Sequence, residues 1–529
     1  MGNRLSPSGP SFDRSTPRVE IVARPLAPGV AESAGGRGAE GGDERPLDLV
    51  VALCRALKQR RVPYCHFKSN EALDRSASGD NDLDLLVGRA GAQRFQETLA
   101  ELGFKEALPP PGRRVPGVSH YYGLDAPSGR LVHVHAHSRL VFGDDTTKNF
   151  RLDIEDDYIA TSVQGSLFRV PLPEYELVLF VVRMVVKHCP PDAIAMMQGK
   201  LSASEQRELV WLMERVDRRR LGDLLRTSLP WMEEGLFDRC LRAIQPGAAL
   251  WTRIRTAGRL QAALAGRRRR IRGADAALRV SRRVAWGLRR LTRGPSLKRP
   301  ANGGLLVALV GGDGAGKSTA VADLSAWISP PFVARTVHLG KPPPTLTTIA
   351  VKGPMFVLRR LGLLGSTVAP AYRLEASAAP FPGLPWLVWN VLTARDRFHA
   401  YRRTRRFVLA GGIVVSDRFP LPMLKTMDGS RTAWIPAVPE LGRVARALIA
   451  LERSYYSRIG RPDLLIVLRL DPEVAVRRRA DERDLQAVRE RSTEAFDADW
   501  ASASAEVVDA AGTRDEVQDA VRGLLWESL

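Results

Sequence analysis

A glycine-rich segment in the second half of the chain constrains the fold more than any other feature. From Gly311 to Thr319 the residues are Gly-Gly-Asp-Gly-Ala-Gly-Lys-Ser-Thr, which fits the pattern G-x-x-x-x-G-K-S/T. A short apolar run at residues 305–310 precedes the segment, and a helical pattern at residues 318–328 follows it. A buried strand, a tight turn and a helix in this order predict an α/β domain built on a parallel sheet.

The residue types of this segment suit the phosphates of ATP. Glycines allow backbone N–H groups to turn toward phosphate oxygens, and the N-terminus of the following helix adds positive potential. We expect Lys317 to reach the β- and γ-phosphates, Ser318 to bind Mg²⁺ through its hydroxyl group and Thr319 to contact the α-phosphate. The predicted nucleotide-binding residues are Gly311, Gly312, Asp313, Gly314, Ala315, Gly316, Lys317, Ser318 and Thr319.

Later parts of the same half supply further charged residues. Residues 412–416 and 464–468 are apolar runs that predict two more buried strands, and Asp417 and Arg418 follow the first run directly. A carboxylate at this point can hold a magnesium-bound water or orient an acceptor, and an arginine can clamp a phosphate. A single arginine is more often a solvated surface charge. The same alternative applies to the two remaining candidates for phosphate binding, Arg397, in a helical segment, and Arg478, in an arginine-rich stretch.

The order and spacing of these motifs resemble those of thymidylate kinase. After the glycine-rich segment come Arg-Asp-Arg at residues 395–397, Ser-Asp-Arg-Phe at residues 416–419, Arg-Pro-Asp-Leu-Leu-Ile-Val-Leu at residues 461–468 and Val-Val-Asp-Ala-Ala at residues 507–511. The resemblance covers residues 305–529 and implies a three-layer P-loop domain. It also implies transfer of the γ-phosphoryl group of ATP to a nucleoside monophosphate, and a possible homodimer, since thymidylate kinases commonly pair.

Roles for single residues follow from the same resemblance. By motif, Asp313 would approach the acceptor sugar, and Arg397 and Arg418 would hold the acceptor phosphate. Asp417 would lie beside the metal ion, and Arg478 would belong to a lid over the reacting groups. The implied catalytic residues are therefore Lys317, Asp417, Arg418 and Arg478, and the implied magnesium ligands in this domain are Ser318 and Asp417.

The residues by which the family reads thymine are not recognisable in this chain. Thr393 stands where an aromatic residue usually stacks on the base, and Trp389 lies one helical turn earlier. The acceptor therefore stays open. We favour a nucleoside monophosphate, with a non-nucleotide acceptor such as a sugar or an antibiotic as the first alternative. A nucleotide-binding regulatory protein with little turnover is the second alternative.

Two acids in the first half of the chain are spaced as on one face of a strand. Asp82 and Asp84 are two residues apart, so strand alternation directs both carboxylates to the same side, where they can hold Mg²⁺. With Lys68-Ser69-Asn70 upstream, the pattern resembles the nucleotidyltransferase superfamily, in which a Gly-Ser turn precedes Asp-x-Asp. The resemblance implies an α+β domain with added helices.

A later strand pattern in the same half carries three histidines at alternate positions. The superfamily resemblance puts a third carboxylate in this strand, where the chain has His135. Because alternate residues share a strand face, the histidines either join the acids in a transition-metal site or form hydrogen bonds in a pocket. These residues are His133, His135 and His137.

Composition divides the chain into four predicted parts. These are a disordered tail at residues 1–44, a nucleotidyltransferase-like domain at residues 45–246, a basic helical connector at residues 247–300 and the P-loop domain at residues 301–529. Of the net charge of +21, about +12 lies in residues 267–299, which hold thirteen Arg or Lys and one acid.

The connector also carries an apolar stripe at helical spacing. The stripe consists of Ile271, Ala274, Leu278, Ser281, Ala285 and Leu288. We favour a helix that packs this side on a domain and leaves its arginines in water. Binding of an anionic polymer or of a membrane surface is the alternative.

Cysteine usage and hydropathy indicate the compartment. Four cysteines lie far apart without metal-ligand spacing, and residues 1–43 lack the apolar core of a signal peptide. The apolar run at residues 177–186 is shorter than the ~20 residues that a spanning helix needs. These features predict a soluble, cytoplasmic protein.

Overall fold

A computed structural model describes most of the chain after the first 44 residues. Glu44–Leu529 forms one compact unit. The tail predicted for residues 1–44 lies outside the described residues. Among the helices of the described part, none has both the length and the apolar character to cross a bilayer. The described ranges are residues 45–195, 199–292, 297–360, 383–424, 427–433, 442–482 and 484–529.

The first half is built on a mixed sheet. Its described strands are β1 Tyr64–His66, β2 Leu83–Val87, β3 Lys105–Leu108, β4 Val118–Asp125, β5 Arg130–His137, β6 Leu140–Phe142, β7 Phe150–Leu152, β8 Val163–Gln164, β9 Arg169–Val170 and β10 Arg299–Pro300. Six of them form one sheet in the order β1-β2-β5-β4-β3-β10. Only the β2–β5 pair in this sheet is parallel, so two neighbouring strands end at the same edge.

Helices cover this sheet and extend beyond it. They are α1 Asp48–Gln59, α2 Leu73–Ala77, α3 Ala92–Glu101, α4 Glu155–Ala160, α5 Pro173–His188, α6 Pro191–Ala195, α7 Ala203–Arg215, α8 Arg218–Ser228, α9 Glu234–Ile244, α10 Leu250–Ala263 and α11 Arg272–Thr292. The apolar run at residues 177–186 lies in α5, which is buried along almost its whole length among α7, α8, α9 and α10. Its continuous apolar sequence therefore reflects a helix surrounded by others.

The predicted connector contains two helices, α10 and α11, and an edge strand, β10. The N-terminal helix of the connector, α10, packs into the core of the first half of the chain through Ala257 and Leu260. At the C-terminal end of the connector, Arg299–Pro300 adds an edge strand to the first sheet. The next helix of the connector, α11, points its apolar stripe outward: Ile271 is 68% exposed and Leu288 is 60% exposed. Packing of this stripe on a domain was thus the wrong expectation.

Charge explains why α11 has this orientation. Its arginine face lies inward because acidic residues of the first half meet it. Arg279 pairs with Asp192, and Arg283 pairs with Asp144. Arg282 donates to the backbone carbonyl of Thr146. Paired arginines on the inner face leave the aliphatic side chains on the outer one.

The second half of the chain contains the predicted parallel sheet. Its strands are β11 Leu305–Gly311, β12 Ala334–His338, β13 Ile413–Asp417, β14 Leu464–Arg469 and β15 Glu506–Asp509, in the order β12-β13-β11-β14-β15, all parallel. Its described helices are α12 Lys317–Ile328, α13 Leu346–Arg360, α14 Leu384–Leu409, α15 Arg443–Ser457, α16 Pro472–Arg478, α17 Leu485–Asp497 and α18 Arg514–Ser528.

Alternate residues of β11 are buried on opposite faces of this sheet. Val307 and Leu309 belong to a core with α12 and α18, whereas Leu306 and Ala308 belong to a core with α14 and α17. Apolar side chains on both faces explain the uninterrupted apolar run. The domain therefore has three layers, in the order helix, sheet, helix. The predicted α/β fold class is confirmed.

The two halves share a hydrophobic core. Tyr122 of β4 packs on Phe332, which follows α12, with ring centroids 5.4 Å apart. Two indole groups cross the same boundary: Trp327 donates to the carbonyl of Gly129 at 2.9 Å, and Trp526 donates to that of Gly103 at 3.0 Å. The glycine-rich loop and the first sheet are therefore parts of one packed body.

Candidate functional site

The glycine-rich segment lies where three parallel strands end. Strand β11 stops at Gly311, and α12 begins at Lys317. A Cβ atom on Gly311 would lie 2.3 Å from the carbonyl oxygen of Leu468 on β14, and Gly316 has a φ of 83°. Both positions therefore require glycine, because other residues would clash at the first and be strained at the second.

Lys317 lies inside this loop. Its ammonium donates to the carbonyl oxygen of Gly312 at 2.6 Å, and the residue is 7% exposed. Burial lowers the pKa of Lys317 to about 8, with a further contribution from the positive charge of Arg418. The loop thus holds a cation at high free energy, and an anion bound there would offset that cost.

We expect ATP binding to weaken as pH rises because of this lowered pKa. Above about pH 8 the free protein must take up a proton to bind phosphates with a charged lysine, so Kd should rise by up to about tenfold per pH unit. Calorimetric titration of ATP from about pH 7 to about pH 9 measures this. Lys317→Arg is the matched control: arginine stays charged, so its Kd should stay flat over that range. Parallel pH profiles for the two proteins would contradict the assignment.

Ser318 and Asp417 meet beside the loop. The serine hydroxyl donates to Oδ2 of Asp417 at 3.0 Å. Oδ1 of Asp417 is buried and has no hydrogen-bond partner within the described part of the chain. Hard oxygen donors of these types suit Mg²⁺, and an ion here would give the buried oxygen a partner. The residues present therefore fit the predicted magnesium site.

Asp313 is held by two arginines. Arg491 of α17 donates through Nε to Oδ2 at 2.6 Å, and Arg418 lies 3.4 Å from Oδ1. Burial by itself would raise the pKa of Asp313, but Arg491, Lys317 and Arg418 hold it below its usual value. Arg418 was predicted from its motif, whereas Arg491 was not, since no local motif marks it. Ser492, which lies close to Gly312 and donates to the carbonyl oxygen of Asp313, also joins that helix to the loop.

Arg397 is fully buried and occupied by other contacts. Its guanidinium group donates to the carbonyl oxygens of Leu339, Gly340 and Asp428 and to the hydroxyl of Tyr456. These contacts tie the segment after β12 to α14 and α15. A role in holding an acceptor phosphate stays a prediction, and the observed role is to brace the neighbouring loops.

The arginine-rich stretch divides between two places. Arg478 donates through Nη1 to the carbonyl oxygen of Ala510, at 3.1 Å. The side chain of Arg479 instead lies against Gly314, and its charge contributes to the lowered pKa of Lys317. The lid role of Arg478 stays a prediction, while Arg479, in the described part of this stretch, approaches the loop.

The region predicted to receive an acceptor base contains a lysine. Lys352 of α13 lies 4.0 Å above the ring of Trp389 and donates to the hydroxyl of Thr393 at 3.0 Å. An ammonium group on the indole face is a cation–π contact. The aromatic surface nearest to the expected stacking position is therefore covered by a charge from the same chain.

The two acids of the first half are paired with basic groups. Asp82, just before β2, lies 2.7 Å from Nδ1 of His133. Asp84 lies 2.9 Å from the ammonium of Lys68 and 3.0 Å from Nδ1 of His135. Both carboxylates reach the same sheet face, as the spacing predicted.

The loop between β1 and α2 also has internal partners. The backbone N–H groups of Ser69 and Asn70 donate to the carboxylates of Glu208 and Glu176, each at 3.1 Å. Successive backbone N–H groups at such a turn are suited to anions. In this structure the two glutamate side chains take that position.

Comparison with known proteins supports nucleotide binding. No family model matches the chain. The uncharacterized ATP-binding protein YghR of Escherichia coli (strain K12) is 28% identical over 185 residues, covering 33% of this chain and 69% of that protein. The protein of the same name from Escherichia coli O6:H1 (strain CFT073) matches equally. The chain is thus distantly similar to proteins described as ATP-binding.

Proposed function

We propose that the chain is an ATP-dependent phosphotransferase whose second half passes the γ-phosphoryl group of ATP to a small acceptor. A nucleoside monophosphate is the acceptor class that the thymidylate kinase resemblance implies. One observation carries the proposal: Lys317 lies within the glycine-rich loop next to the Ser318–Asp417 pair, and Arg418 and Arg491 converge on Asp313 at its rim. ATP binding alone needs the loop, whereas transfer also needs charge beyond it.

Each of these side chains has a distinct task in the proposed reaction. The ammonium of Lys317 neutralises charge on the β- and γ-phosphates as the bond between them breaks. Ser318 and Asp417 would hold Mg²⁺, which supplies charge neutralisation when bound. Arg418 and Arg491 place two guanidinium groups next to the loop, where preorganised donors stabilise charge that develops during transfer.

A non-nucleotide acceptor is the second candidate, and one contact favours it. Lys352 covers the indole face of Trp389, so a base would have to displace an ammonium group to stack there. An acceptor that lacks an aromatic ring, such as a sugar, would not need to do so. For the first half, nucleotidyl transfer is the weaker candidate because Asp82 and Asp84 are already paired with histidines and Lys68.

An acceptor screen with the full chain tests the proposal. ADP release from magnesium–ATP would be measured with dTMP, dUMP, dCMP and a set of sugars and aminoglycosides. We expect release with at least one acceptor. Asp417→Asn should lower that rate by about a hundredfold, because the carboxylate, whose Oδ1 atom is buried, loses its charge beside the metal site.

Asp323→Asn is the matched control for this variant. Asp323 is an acid on α12 that pairs with Arg514 on the outer surface, so its loss should leave the rate unchanged. Tight ATP binding with ADP release at background for every acceptor would instead support a regulatory nucleotide-binding protein and overturn the kinase proposal.

A further inference from the structure

One face of the first sheet carries a cluster of imidazole and carboxylate groups. Strand β5 presents its three alternate histidines there, and the parallel register sets Asp84 of β2 beside His135 and Leu86 beside His137. A carboxylate oxygen and ring nitrogens of Asp84, His135 and His137 all lie within 4.8 Å of one another. Two ligands of one ion at ~2.1 Å are at most about 4.2 Å apart, so small side-chain shifts suffice for shared ligation.

His137 is the member of this cluster that has no other explanation. It is 6% exposed, and neither of its ring nitrogens has a hydrogen-bond partner within the described ranges. Its ring packs between Phe67, at a centroid distance of 4.7 Å, and His135, at 4.4 Å. Burying a polar group without a hydrogen-bond partner costs free energy. A buried imidazole with a ring nitrogen within 4.8 Å of a carboxylate oxygen and of a second imidazole nitrogen offers a ligand atom that makes no hydrogen bond within the described residues.

We propose that Asp84, His135 and His137 bind a divalent transition-metal ion. The proposal concerns the first half of the chain and goes beyond the phosphotransfer proposed for the second. Imidazole ligands select zinc, cobalt, nickel, copper or iron, whereas Mg²⁺ takes oxygen ligands and keeps its waters. Asp82, which the sequence pattern joined to Asp84 as a magnesium ligand, is not among the ligand atoms that lie within 4.8 Å of one another, and its carboxylate contacts His133 instead.

The surroundings of Asp84 fit such a role. Lys68 and His135 both approach its Oδ1 atom, at 2.9 and 3.0 Å. Ligation requires His135 to give up that hydrogen bond and turn a free nitrogen to the ion, while Lys68 remains as the outer partner that orients the carboxylate. The side chains of His135 and Asp84 are 23% and 13% exposed, so an ion has access from solvent. Three protein ligands leave a position open for water or an anionic ligand.

Metal titration of the full chain tests this site. Protein freed of metal by a chelator, and kept without nucleotide, would be titrated with Zn²⁺ and Co²⁺. We expect one equivalent of tightly bound ion per chain and visible absorption from bound Co²⁺, with no competition from Mg²⁺. His137→Gln and Asp84→Asn should each weaken Zn²⁺ binding by about a hundredfold or more, given that loss of merely an outer partner typically costs 10–100-fold.

Two further variants make the result specific. His120→Gln removes a histidine of the neighbouring strand that stacks on His135 but lies outside the triad, and it should keep full stoichiometry. Lys317→Ala should keep it too, which separates this site from the phosphotransferase proposal. If the His137→Gln variant does not fold, the site is tested instead with Asp84→Asn and with the rise of the wild-type Tm when Zn²⁺ is added.

Two results would overturn the proposal. One is Zn²⁺ binding below one equivalent with no change in Tm. The other is binding that survives both triad substitutions, which would place the ion elsewhere.

Discussion

Replacing Lys317 with alanine is expected to lower phosphoryl transfer by at least about a hundredfold, the usual effect of removing one preorganised charge from a transition state. The ammonium lies within the loop, 2.6 Å from the carbonyl oxygen of Gly312. Initial rates of ADP release, with the best acceptor from the screen, measure the effect. Arg514→Ala removes a positive charge from the surface of α18 and should leave the rate unchanged.

The same variant should not be less stable than the wild type. The folded-state pKa of Lys317 lies below its unfolded value, so keeping the ammonium charged costs free energy below about pH 8. That cost falls as pH rises from the folded pKa toward the unfolded one. At neutral pH, Lys317→Ala removes it, so Tm should stay equal or rise. Lost activity with a markedly lower Tm would indicate damage to the fold and would contradict the assigned role.

Phe332→Ala should destabilise the whole of residues 44–529 by about 3–5 kcal/mol, the range for deleting a buried aromatic ring. Phe332 is fully buried, and its ring lies 5.4 Å from that of Tyr122 and 6.5 Å from that of Trp526. Deleting it opens a cavity in the core that both halves share. Urea denaturation followed by tryptophan fluorescence measures the change.

Leu409→Ala provides the comparison for this substitution. Leu409 is 81% exposed at the end of α14, so its loss should change the free energy of unfolding by less than about 0.5 kcal/mol. A shared core also predicts one cooperative transition for the wild type. Two separate transitions, with Phe332→Ala shifting just one of them, would contradict the shared core.

This core bears on how the second half is assayed. Cutting the chain at residue 301 would expose Phe332, Trp327 and Trp526 and remove their partners Tyr122, Gly129 and Gly103. Large exposed aromatic surfaces promote association. We therefore expect a fragment of residues 301–529 to aggregate, and activity measurements need the full chain.

Local sequence patterns were sufficient to predict several of the strands in the second half of the chain. The apolar runs at residues 305–310, 412–416 and 464–468 match β11, β13 and β14 to within one residue at each end. A strand buried on both faces needs apolar residues at every position, and that requirement is visible along the chain without knowledge of its neighbours. The glycine-rich turn could be located for the same reason, since its backbone conformation depends on its own glycine residues.

Local pattern also located the acids of the first half but not their partners. Strand alternation placed Asp82 and Asp84 on one face, and the structure has both there. Which histidine each acid meets depends on the register between β2 and β5, whose contacting residues are 51 positions apart in the chain. The orphaned nitrogens of His137 follow from that register as well.

What the sequence by itself determined is therefore the parallel sheet, its glycine-rich loop and the chemical types gathered near it, because these depend on residues close together in the chain. Tertiary structure alone decided which charges meet. It brought Arg491 to Asp313 from 178 residues away, enclosed Arg397 among carbonyl groups and turned the arginines of α11 inward to Asp144 and Asp192. A periodic pattern identifies the two faces of a helix, but the direction each face points is set by the partners that folding places beside it.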